Sequence, residues 1–219
     1  MSKIIQAIID IIKSIFESKP APIEPPVVEK PVEAPVIPEV AKPSKMMPIM
    51  DALKICIKPY ENLRESNGKN RSALIDQIIK NQKGALGSAY CAYGASQLMD
   101  DVVALYASQG VKVKIDVPRT GSSQAMWGNA KAEYKVGQPK PASIVIWKHM
   151  SGSYTGHVGT CLSFLDKGEF KTFEFNTSGP SSSVVRDGEG AYYKSRPFKD
   201  VGDMHILGFI DLEKAMKVL

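Results

Sequence analysis

Cysteine and histidine are scarce in this 219-residue chain, three of each. The cysteines, Cys56, Cys91 and Cys161, are odd in number, and none stands in a C-x-x-C or similar spacing. That excludes a closed disulfide framework and a zinc site of ordinary ligand spacing, so neither a metal nor a cofactor is expected. No apolar run reaches the ~20 residues that a membrane-spanning helix needs. No basic run is interleaved with aromatics and no nucleic-acid motif is present, so nucleic acid is not an expected partner. A general base of the imidazole kind has only three candidates: His149, His157 and His205.

What is present divides into three segments. Residues 1–17, "MSKIIQAIIDIIKSIFE", place Lys3, Gln6, Asp10, Lys13, Ser14 and Glu17 on one narrow helical stripe, with isoleucines and Phe16 covering the rest. Asp10 inside the apolar run and the lack of a small-residue cleavage site argue against a signal peptide. Two readings stay open: an interfacial membrane helix, or a helix that buries its wide apolar face in a homo-oligomer. Residues 18–48 hold nine of the fifteen prolines. Recurrent proline blocks helix and ladder pairing and favours an extended spacer, which at ~3.1 Å per residue reaches on the order of 90 Å. Residues 49–219 carry the patterns of a folded domain. Basic and acidic residues balance at six each up to residue 48, so the whole net charge of +5 lies in the domain. A mildly basic domain is drawn to anionic polymers and surfaces.

Within the domain, helical periodicity covers about 51–58, 72–80 and 91–108, with Ser72 as a cap for the second. After Gly110 the period changes to two. "VKVKIDV", "ASIVIWKH", "GHVGTCLSFL", "EFKTFEFN" and "MHILGFIDL" read as strands. Helices first and hairpin-linked strands afterwards imply an α+β fold, with N-terminal helices packed on an antiparallel sheet.

The stretch "GSAYCAYGASQLMDDVVALYASQG", residues 87–110, sets Cys91 at the start of the longest helix. Unpaired N–H groups and the helix dipole there favour thiolate, the nucleophilic form. A buried core cysteine is the competing reading, because cysteine is among the most buried residue types. The catalytic reading needs a base, and "GHVGTCLSFLDKGEFKTFEFN", residues 156–176, offers one. Lys167-Gly168 signals a two-residue hairpin turn. Pairing Asp166 with Glu169 sets Cys161 against Glu174 and Gly159 against Asn176. His157, Gly159 and Cys161 then share a polar face with Thr172, Glu174 and Asn176. Val158, Leu162, Phe164, Phe173 and Phe175 take the other face and pack the core. His157 and Asn176 become diagonal neighbours. Glu174 or Asn176 would hold one ring nitrogen of His157 while the other takes a proton from the thiol. A solvent-facing strand with a lone histidine is the alternative. His149 reads as a strand-end residue, and His205 lacks an acidic partner in register, so both read as structural.

These residues resemble the CHAP domain, a cysteine, histidine-dependent amidohydrolase/peptidase of the NlpC/P60-like, papain-related group. The likeness runs over most of residues 60–211. "RESNGKNRSALIDQIIK" resembles the family's entry segment, "SAYCAY" its nucleophile motif, "GHVGTCLSF" its histidine strand and "FEFNTS" its E-x-N-T strand. "RDGEGAYYKSRPF" and "LGFIDL" resemble its closing strands. The resemblance implies a papain-like α+β fold with Cys91 as nucleophile, His157 as base, and Glu174 and Asn176 in the orienting positions, Glu174 first. Two departures stand out. The family's usual Pro-Gly-Asp reads Pro141-Ala142-Ser143 here, and "NQKGALGSAY" lacks the carboxylates that hold calcium in some relatives, so no calcium is expected there.

The function implied is peptidoglycan hydrolysis, at the N-acetylmuramoyl-L-alanine amide or at a stem or cross-bridge peptide bond, with peptidoglycan as the partner. The front helix, the tether and the missing signal peptide suggest a phage lysin or virion-attached lytic enzyme. Such an enzyme is held in the host cytoplasm until release, or carried on the virion, and acts on the cell wall. The alternatives are a non-catalytic wall-binding protein that keeps the fold, and a thiol amidase or transferase acting on another amide.

Overall fold

Helix α1 (Ile49–Ile57) turns Ile49, Ala52, Leu53, Cys56 and Ile57 inward, the three- and four-residue spacing of a core-facing helix. The computed structural model that shows it describes residues 46–66, 68–151, 155–165, 168–179 and 188–219. The amphipathic segment 1–17 and the Pro-rich segment as far as residue 45 lie outside the described residues. A 3₁₀ turn (Lys58–Tyr60) follows α1. Helix α2 (Ala73–Asn81) starts where Ser72 Oγ accepts from Ile75 N, and Arg71 forks onto Asp76 at 2.6 and 2.8 Å. Helix α3 (Cys91–Ser108) ends at Gly110, whose φ of 77° is left-handed.

The remaining elements are β1 (Val113–Ile115), α4 (Ser123–Asn129), β2 (Lys135–Val136), β3 (Ser143–His149), β4 (Gly156–Leu165), β5 (Glu169–Thr177), β6 (Gly190–Pro197), β7 (Met204–Asp211), α5 (Leu212–Ala215) and β8 (Met216–Val218). Six strands form one antiparallel sheet in the order β2-β7-β3-β4-β5-β6, and β1 pairs with β8 apart from it. The α+β expectation holds, and the unit from Met47 to Leu219 packs on itself. Among the described residues no helix is long and apolar enough to cross a membrane.

Contact between α3 and the sheet depends on one missing side chain. A Cβ on Gly94 would lie 2.2 Å from the Phe175 ring, so only glycine lets the helix come this close. Behind α3, Tyr60 donates to Asp101 Oδ2 at 2.5 Å and Gln97 Nε2 donates to Oδ1 at 2.7 Å. Burial pushes the Asp101 carboxyl up to about 6 against the pull of those two donors. Between about pH 4 and 6 the unfolded chain loses this proton while the folded chain keeps it, so stability falls as pH rises through that window. The loss is on the order of 3 kcal/mol. Asp101→Asn is expected to remove it. Melting temperatures of both proteins from pH 4 to 7 check this, and parallel curves would refute it.

The sheet corrects three expectations. The hairpin register differs by two residues: Cys161 faces Thr172 and Thr160 faces Phe173. Near the turn the pairing runs Leu165 with Glu169, and a bulge between Cys161 and Ser163 absorbs the difference. An even shift leaves His157, Gly159, Cys161, Thr172 and Glu174 on one face, so that grouping survives. The bulge breaks the alternation beyond it, however. Phe164 is 53% exposed and Leu162 only half-buried, so neither joins the core as expected. Finally, the face of His157 is not a solvated polar face. Val145, Trp147, Cys161, Phe170, Met204 and Phe209 pack a second apolar cluster on it.

Ala142, just before β3, has φ of 58°. It is buried, its N–H donates to Cys161 O, and its carbonyl accepts from Leu212 N, both at 3.0 Å. A left-handed alanine is strained by roughly 1–2 kcal/mol. Ala142→Gly is expected to stabilise the fold by up to about 1 kcal/mol, because glycine's extra unfolded-state entropy offsets part of the relief. Urea unfolding midpoints test it, and an unchanged or lower midpoint would refute it.

Candidate active site

Cys91 is the first residue of α3, following Tyr90 as a cap residue without a side-chain cap bond. The first intrahelical bond runs from Gly94 N to Tyr90 O, which leaves the N–H groups of residues 91–93 without intrahelical acceptors. No acidic residue occupies this first turn, so nothing on the helix itself neutralises the positive end of its dipole. Cys91 is 8% exposed, whereas Cys56 and Cys161 are fully buried. Burial pushes the Cys161 thiol up to about 11 and that of Cys56 higher still, as befits inert core residues.

His157 lies on β4 directly across from Trp147 of β3. Its Nε2 stands 2.9 Å from Glu174 Oε2. The ring nitrogen left for a second partner is therefore Nδ1. Burial pulls the imidazole's pKa down, but hydrogen bonding to Cys91 and Glu174 outweighs it and lifts the value to about 9. The imidazole is thus bonded to the carboxylate on one side and close enough to the thiol to respond to it. Trp147 lies beside the imidazole, with ring centroids 5.7 Å apart, and helps fix its plane.

Glu174 comes from β5 and is fully buried. Room for it is made by Gly159, where a Cβ would lie 2.8 Å from Glu174 Cγ. The glycine between the functional positions clears space for the carboxylate rather than for an amide. Glu174 Oε1 accepts from Thr172 Oγ1 at 2.5 Å and from Arg196 Nε at 2.8 Å, and Oε2 accepts from Arg196 Nη2 at 2.5 Å. Burial alone would raise the carboxyl's pKa. Arg196 and His157 outweigh it and hold Glu174 well below the usual carboxylate range.

Of the four residues singled out in the sequence, three converge: Cys91, His157 and Glu174. Asn176 is close in sequence but does not pair with His157. It has φ of 52° in the stretch where the β5–β6 register shifts, between Glu174 and Thr177, and its buried Oδ1 has no hydrogen-bond partner among the described residues. That irregularity takes Asn176 out of the ladder. His205 does have an acidic partner, Asp200 Oδ2 at 2.7 Å, supplied by the turn before β7 rather than by strand register. His149 faces Asp203 at 3.4 Å. Neither imidazole joins Cys91.

Sequence reasoning missed Arg196 and Trp147, and it placed Thr172 on this face without its bond to Glu174. Arg196 sits on β6, and its ladder partner is Phe170, so it reaches back along the sheet face to Glu174. In "AYYKSRPF" the alternation of Lys194 and Arg196 looks like an exposed polar face; only the pairing with a buried carboxylate distinguishes it. Among the described residues no three of His, Cys, Asp and Glu gather as a metal-binding group. No protein-family model matches the chain, and a search of curated proteins finds no significant match either.

Proposed function

We propose that this chain is a cysteine-dependent peptidoglycan hydrolase with a CHAP-type, papain-like catalytic domain, acting as an N-acetylmuramoyl-L-alanine amidase or an endopeptidase. The observation that carries the reading is the series Cys91, His157, Glu174, which joins a helix-start thiol to an imidazole whose other nitrogen is held by a buried carboxylate. The wall as substrate rests on the likeness of the five quoted segments to CHAP domains. The left-handed backbone at Ala142 is a further support, since it suits the glycine that the family carries there.

In this mechanism His157 holds the proton given up by Cys91. The sulfur attacks the amide carbonyl carbon, and N–H groups at the start of α3 supply donors for the oxyanion. The C–N bond breaks as His157 gives its proton to the leaving amine. Water then attacks the thioester carbonyl and His157 takes its proton. The sulfur leaves, which frees a carboxylate. Glu174 keeps the imidazole oriented and balances its charge throughout.

Dye-labelled purified walls test the proposal. The full chain is expected to release dye and, by mass spectrometry of the fragments, to leave one new amine and one new carboxylate at a single kind of amide. Folded protein that releases nothing, while still binding walls, would support the non-catalytic alternative. Release restricted to another amide would support the thiol amidase.

A further inference from the structure

Glu174 is unusual in how completely its oxygens are used. Two hydrogen bonds come from Arg196, one from Thr172 and one from His157, which fills about the four acceptor sites of a carboxylate. The Arg196 side chain is itself mostly buried, and its guanidinium carbon lies 5.6 Å from the centre of the Trp147 ring, whose other neighbour is His157. A fully buried carboxylate with only an imidazole for company lacks the compensation that burial requires, and a neutral acid beside a neutral imidazole is its lower-energy state.

We propose that Arg196 is a positioning residue of this site: acting through Glu174, its bidentate guanidinium keeps the carboxylate charged and aimed at His157 Nε2, and so keeps the proton on the imidazole that faces Cys91. This rests on reading Cys91 and His157 as a nucleophile–base pair. Among the described residues, the charged groups that act on Glu174 are His157 from β4 and Arg196 from β6, with Lys194 of β6 close by, Tyr192 of β6 as the ladder partner of Glu174 and Cys91 of α3 beyond His157. Lys194 cannot substitute, because its Nζ is committed to the carbonyls of Ser178 and Gly179 at 2.9 and 3.0 Å. Its own pKa is lowered by burial and by the charge of Arg196. Arg196, Glu174 and His157 alternate in sign, and removing the first cation unbalances the two groups after it.

The test reads Cys91 directly and needs no wall substrate, so it separates this proposal from the substrate reading. Native full-length protein is alkylated with iodoacetamide across pH 4–9, and the Cys91 peptide is followed by mass spectrometry, Cys56 and Cys161 being too buried to compete. In Arg196→Met the rate at pH 6 is expected to fall about tenfold, the acid limb moving up by about one pH unit. Arg196→Lys retains the charge without the fork and is expected to recover most of the rate. Glu174→Gln is expected to reproduce the Arg196→Met profile, and the double variant to shift no further. A profile for Arg196→Met that overlays wild type overturns the proposal, as does a double variant whose shift is the sum of the singles. If Arg196→Met alone does not fold, comparison of the charge-balanced double variant with Glu174→Gln decides it: identical profiles support the proposal and a further shift refutes it. Loss of thermal stability with an unmoved pH profile marks a merely structural arginine.

Discussion

His157→Ala is expected to abolish wall cleavage as completely as Cys91→Ser, by about three orders of magnitude or more, with the double variant no worse than either single. The sulfur without a base and the base without a sulfur are equally inert, because neither step of the reaction runs on one of them alone. His149→Ala and His205→Ala are expected to keep most activity, since both rings pair with carboxylates away from Cys91. The same histidine sets an alkaline limit. With its folded value lifted to about 9, the imidazole holds a proton that the unfolded chain releases near 6.5. Its contribution to stability is therefore fully present below about pH 6.5 and is lost as pH rises through about 9. Activity is expected to decline across that upper limit as the acid for the leaving amine disappears. Dye release and melting temperature from pH 6 to 10 measure both. Full activity in His157→Ala, or activity lost in Cys161→Ser but kept in Cys91→Ser, would refute the assignment.

Much of this site was legible in the sequence because it depends on short-range patterns. The helix carrying Cys91 is marked by its own periodicity and by Gly110, and its start falls where expected. The hairpin that brings His157 and Glu174 together has a turn signal and clear alternation. Its register, however, departs from the uninterrupted ladder that the turn implies, because a bulge at Cys161–Ser163 has no sequence mark. The error of two residues was harmless because strand faces repeat with that period. An error of one would have separated His157 from Glu174. The same cause removed Asn176 from the site: irregular pairing between Glu174 and Thr177 breaks the alternation on which the expectation relied. Arg196 was beyond reach for a different reason. Its role depends on β6 lying beside β5, a long-range pairing, and on a guanidinium reaching back along the face. Of the small elements, α4, α5, β2 and β8 are too short for periodicity to reveal.

Glu174→Ala is expected to be the most destabilising single change in the site, by about 3–5 kcal/mol, because it leaves two buried cationic groups facing a hole. Arg196 loses both of its charge-assisted bonds and His157 loses the carboxylate that holds its Nε2. Thr172 Oγ1 loses its acceptor as well. The structure offers no nearby replacement among the described residues, since Lys194 carries the same sign. Glu174→Gln keeps the volume and one good acceptor, so it should unfold less readily while still losing the charge that holds the proton on His157. Above the usual carboxylate range the depressed Glu174 contributes stability that is lost as pH falls towards its folded value. Wild type should therefore converge with Glu174→Gln in acid. The distinguishing measurement is a double-variant comparison by urea unfolding: Glu174→Ala with Arg196→Met should be more stable than Glu174→Ala alone, because the second change removes the stranded charge. A double variant less stable than the single would mean that Arg196 is held in place by its packing against Trp147, and that the carboxylate is not what its charge answers to.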